Sequence, residues 1–141
     1  MSNEPNKISI NKTDNMVIVD GLGFNNLDLS SIESNIHAIQ FDNTTSQGHV
    51  EYNDGKTNKK ITDISDYQLI IDSYAEKKTD YETQKQKDKE DFETYKESYQ
   101  YKRSVSYPPI QEQLDMQYHD AINGTNTWID AITKVKEYYK K

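Results

Sequence analysis

The stretch IHAIQFDNTTSQGHVEYNDG, residues 36–55, decides the first half of the fold. Two extended runs, IHAIQF (36–41) and GHVEYN (48–53), flank the polar loop DNTTSQ, which is the pattern of a β-hairpin. By the two-residue period of a strand, Ile36, Ala38 and Gln40 share one face, and His37, Ile39 and Phe41 share the other. Apolar residues on both faces put this strand inside a sheet rather than at its edge. Asp54-Gly55 signals a tight turn into a last strand near residues 57–61.

Upstream, ISI (8–10) and MVIVDG (16–21) form a second hairpin across residues 11–15. Between the hairpins, LDLSSIESN (27–35) offers Ser30 or Ser31 as a cap with Glu33 behind it, so a single short helical turn is expected there. Residues 1–7 (MSNEPNK) are polar and read as a loose end.

From Asp66 the period changes. Tyr67, Ile71, Tyr74, Lys78, Tyr81, Lys85, Asp88, Phe92, Tyr95 and Tyr99 follow alternating steps of four and three, a heptad stripe with a polar middle. One helix to about Lys102 follows, roughly 55 Å long at 1.5 Å per residue. Its polar centre excludes continuous burial, so its two aromatic ends are the anchors, one on the sheet and one on later helices. VSYPP (105–109) then breaks the helix. A new helix follows in PIQEQLDMQYHDAIN, with Pro109 as its first position and Gly124 as its stop. TNTWIDAITKVKEYYKK (125–141) gives the last helix, capped by Thr125 or Thr127. The expectation is an α+β protein: a β-rich module over 1–62, a long helix over 63–103 and a helical hairpin over 104–141.

Composition narrows the function. Hydrophobic residues make up 33% of 141, and eleven are tyrosines. With a mean hydropathy of −1.05, the chain has a small core or completes one by pairing with copies of itself. Tyrosine suits such surfaces, because it carries large contact area and a polar tip. The net charge of −7 and the lack of a clustered basic face exclude a duplex nucleic-acid binder. There is no cysteine, hence no disulfide framework or thiolate chemistry. No apolar run long enough for a membrane span and no signal-peptide pattern is present, so a cytosolic location is expected. No Gly-rich phosphate loop, HExxH or nucleophile elbow occurs, and His37, His49 and His119 lack a convincing third ligand. No enzyme, metal or cofactor is therefore expected.

One basic residue stands apart. In KRSVSYPPIQEQLDMQYHD (102–120), Arg103 is the only arginine among seventeen basic side chains. A guanidinium grips phosphate through two parallel hydrogen bonds, which lysine cannot do. Lys102, Ser104, Ser106, Tyr107 and the free amides after Pro109 lie beside it in sequence, and a helix start favours an anion. Gln111 and Gln113 add donors and acceptors suited to a base edge or ribose. The competing reading keeps Arg103 at a corner, capping the long helix or bridging to Glu112 or Asp115.

Two stretches carry a resemblance. VDGLGF (19–24) with LDLSSIESNIHAIQFDN and GHVEYNDGK is similar to a sheet module of small bacteriophage proteins, and YPPIQEQLDMQYHDAINGTNTWIDAITKVK (107–136) resembles a phage signature. A sheet followed by a helical half looks like the phage anti-Thoeris sponge family, the first type of Thoeris anti-defence protein. That resemblance implies a non-catalytic protein of the host cytoplasm. It would sequester cyclic ADP-ribose isomers, and also cyclic oligonucleotides, as a dimer or a larger assembly up to a hexamer. It places Arg103 on phosphate and Tyr107, or Tyr99 from the long helix, against the adenine. The alternative is a tail-associated structural or assembly accessory protein, with the tyrosine-striped helix as a docking rod.

Overall fold

The computed structural model describes residues 5–141; the first four residues of the expected loose end lie outside that range. Six antiparallel strands form one sheet: β1 (Lys7–Asn11), β2 (Met16–Val19), β3 (Leu22–Asn25), β4 (Ile36–Asp42), β5 (Gln47–Tyr52) and β6 (Lys59–Ile61). Their order is β3-β2-β1-β4-β5-β6. A single 3-10 turn at Ser65–Tyr67 leads into α1 (Gln68–Glu97), followed by α2 (Tyr99–Ser106), α3 (Ile110–Asn123) and α4 (Thr127–Tyr138). The chain is α+β, as expected, and it divides into two compact units at Thr83 and Gln84, within α1.

In the first unit, β4 lies between β1 and β5, the interior place that its two apolar faces required. The face assignment changes, however. A bulge between Ile36 and Ala38 shifts the register, so Ile36 pairs with Tyr52 while Ile39 pairs with Val50. The extra residue, His37, carries Ile36 over to the face of Ile39 and Phe41, as a bulge does. That face joins Ile8, Ile10, Val17, Val19 and Val50 in the core. Ile10, Ile39 and Val17 are fully buried.

Two further expectations are corrected here. MVIVDG is not one strand: Asp20 (φ 49°) and Gly21 (φ 86°) make a two-residue turn with positive φ at both positions, which matches strand twist. It returns the chain as β3, with Val19 paired to Leu22 and Val17 to Phe24. The amides of Asn6 and Lys7 donate to the Asp20 carboxylate, tying that end to this turn. Residues 27–35 form hydrogen-bonded turns, with the Ser30 amide held by Asp28, rather than a capped helical turn.

The start of α1 covers the core. Ile70, Ile71 and Tyr74 are buried, and the Tyr74 hydroxyl donates to the Leu22 carbonyl at 2.8 Å. Phe24 packs on Tyr74 and Tyr81 with ring centroids 5.2 and 5.5 Å away. Lys77 donates to the Asn25 carbonyl, which helps blunt the β3 edge.

The expected single helix to Lys102 ends sooner. Ser98 takes an extended conformation (φ −70°, ψ 151°), and its hydroxyl accepts from the Tyr101 amide, capping α2. A serine cap offers the backbone an alternative to continuing the helix. Phe92 and Tyr95 of α1 then meet the edge of Tyr101, at 6.1 and 5.4 Å.

Candidate functional site

The second unit holds the five residues singled out from the sequence. Arg103 sits on α2, and two of its donors are engaged. Nε donates to the Tyr139 carbonyl at 2.8 Å and an Nη to the Lys136 carbonyl at 2.9 Å. These are carbonyls at the end of α4, where a helix leaves acceptors without partners and favours a cation. The guanidinium also lies over the Tyr99 ring, 5.0 Å from its centroid. Arg103 is a corner residue, as one of the two readings held, but the helix it caps is α4.

Gln113 is likewise engaged: its Nε2 donates to the Pro108 carbonyl at 2.7 Å, and its Oε1 accepts from the Trp128 indole at 3.2 Å. It fixes the turn into α3 against α4. Tyr107 is the half-buried residue that ends α2, and its amide donates to the Arg103 carbonyl. Gln111 is exposed in the first turn of α3. The structure thus brings Tyr99 and Arg103 together and puts Gln113 into a separate structural contact.

The α3–α4 connection is fixed by Asp120. Its carboxylate accepts from the amides of Thr127 and Trp128, both at 2.9 Å, and from the hydroxyls of Thr125 and Thr127. Thr125 and Thr127 were expected to cap α4; instead they donate to Asp120, which supplies the cap from the preceding helix. Despite an opposing desolvation effect, these hydrogen bonds hold the carboxyl well below the usual aspartate range. Gly124 closes α3 in the left-handed conformation, as expected.

What sequence reading missed is how little this unit buries. No residue of α2, α3 or α4 is buried. On α3, Ile110, Leu114, Tyr118 and Ile122 recur every fourth residue and are 63%, 58%, 63% and 62% exposed. Val105, Ile129 and Tyr138 are also more than half exposed. The i, i+4 spacing of the α3 row is visible in the sequence, but its exposure is not. The inside is formed by the other side of α3, through Gln113 and Asp120, against Trp128 on α4.

The remaining concavities are open grooves, among them one of about 620 Å³ beside β5 and β6, lined by His49, Asn58, Lys60 and Thr62. On the solvent face of the sheet, Ser9, Gln40 and His49 stand side by side across β1, β4 and β5, and they help line a groove of about 460 Å³. His49 is paired with Glu51 at 2.9 Å, and His37 with the Thr13 hydroxyl at 2.7 Å, so the two do not form a joint site. A cleft of about 370 Å³ lies between Ser106, Pro108, Lys134, Val135 and Tyr139. Among the described residues no helix is long and apolar enough to cross a membrane. No protein family, curated protein or solved structure matches the chain.

Proposed function

We propose that the chain is a non-enzymatic bacteriophage protein of assembly, a tail-associated structural or accessory protein that docks through its C-terminal helices in the host cytoplasm. The phage context rests on the resemblance of residues 107–136. The observation that carries the docking role is the uncovered apolar row of α3 in a unit without a buried residue. Burial is the main favourable term in folding, and a helical unit that buries nothing fully is completed by what it binds. Mass spectrometry of purified virions and assembly intermediates of the encoding phage tests this reading. The expected result is the chain at a fixed stoichiometry; its absence from every such particle overturns the reading.

The second reading is sequestration of a cyclic ADP-ribose isomer or a cyclic oligonucleotide. The cleft beside the Arg103 corner, with Lys134 and Tyr139 in its wall, favours it. Calorimetric titration with a panel of these ligands, followed by recovery of intact ligand on heating, tests it. Because two Arg103 donors already serve α4, the assembly reading expects no heat.

A further inference from the structure

The docking row on α3 has a charge setting that identifies its occupant. Across residues 84–141 positive and negative charges balance, and the net charge of −7 rests on residues 1–83. Within the balanced unit α3 is net acidic, with Glu112, Asp115 and Asp120 and no lysine or arginine; α4 carries Asp130 and Glu137 beside Lys134 and Lys136, and with Lys140 and Lys141 the stretch 134–141 is net basic. By helical period, Asp115 flanks the exposed row of Ile110, Leu114, Tyr118 and Ile122. On α4, exposed Ile129 shares a side with Thr133 and Lys136, away from half-buried Trp128 and Val135.

We infer that the α3 row is covered by the exposed side of α4 from another copy of this chain, so that two α3–α4 hairpins complete one helical bundle. Such a contact is reciprocal, since α3 of each copy meets α4 of the other, and a two-fold pair closes without leaving a free row. Two hairpins packed in this way make a four-helix bundle around their shared apolar positions. Each large side chain of the row offers on the order of 100 Å² to cover. Ile129 extends this patch, whereas Tyr138 lies on the opposite side of α4; the apolar part is on the order of 500 Å² per copy, and the charged rim supplies the rest of the roughly 800 Å² per partner of a stable interface. Asp115 of one copy then faces Lys136 of the next at the rim, where opposite charges set orientation and exclude wrong partners. The inference rests on the docking reading above and names the partner of that surface.

The test is sedimentation of the full chain over a range of concentration up to about 100 μM. The expected mass is twice that of the 16.5 kDa chain. Leu114→Glu shifts the chain to monomer, with its circular dichroism per residue still reporting the sheet and α1. Asp115→Lys alone weakens association about tenfold, and Asp115→Lys with Lys136→Glu restores it. A chain that stays monomeric throughout overturns the inference, and so does an oligomer that neither Leu114→Glu nor the charge pair alters. A monomeric chain still found in virions removes the second copy as partner and leaves the docking reading standing.

Discussion

Replacing Gly48 by alanine tests the β4–β5 register. A Cβ built there lies 2.2 Å from the Gln40 carbonyl oxygen and 2.7 Å from Phe41 Cδ2. The nearer atom is backbone, so relief requires β4 and β5 to move apart where Phe41 pairs with Gly48. Forcing a methyl into a packed site costs about 1–3 kcal/mol. Alanine's smaller unfolded-state entropy offsets about 0.4–1 kcal/mol of that. The net loss is about 1–2 kcal/mol, which at a urea slope of about 1–3 kcal/mol per molar lowers the midpoint by about 1 M. Gly23→Ala is the internal comparison. Its Cβ meets Met16 Sδ at 3.1 Å and Ile18 Cγ1 at 3.3 Å, side-chain atoms that can yield, so its cost stays within about 0.5 kcal/mol. Urea unfolding followed by the near-ultraviolet signal of the tyrosines on the sheet reads both. Equal midpoints, or Gly23→Ala as the more damaging change, would refute the register and the packing drawn from it.

Other substitutions probe other links. Tyr74→Phe removes the hydrogen bond to the Leu22 carbonyl and should cost about 1 kcal/mol in the same unfolding assay. Arg103→Ala should leave the sheet unchanged and speed hydrogen exchange in the last turn of α4, whose carbonyls it now holds. Asp120→Asn bears on acid stability. Because the folded pKa of Asp120 is depressed, its contribution is fully present above the ordinary aspartate pKa of about 3.9 and is lost as pH falls through the folded value. In an acid titration of helical circular dichroism, the gap between wild type and variant should therefore be widest near neutral pH and should close only in strong acid. A gap independent of pH would contradict the capping role.

The hairpins were legible because β-branched runs and polar turns are local signals, and the step from period two to period three-and-a-half placed α1. The departures have particular causes. Asp20-Gly21 carried the signal for β3, but it was read as the end of a strand rather than as a turn between two. The bulge at His37 left no mark in the alternation, because apolar residues on both sides of it hid the change of face. Ser98 has no glutamate three residues on to announce a capping box. For Arg103, the corner position was visible, but its acceptors lie 33 and 36 residues later in the chain. No local pattern points that far. The α3 row was visible as spacing, whereas its exposure depends on which side of α3 meets α4, and that is decided by Asp120 and Gln113.

Hydrogen exchange of the full chain, followed by mass spectrometry over a range of concentration, tests most directly whether association completes the α3–α4 hairpin. The account predicts that protection over Ile110–Asn123 rises with concentration, while protection in β1 and β4, whose side chains are already in the core, stays constant. Protection of α3 that is the same at every concentration would contradict it.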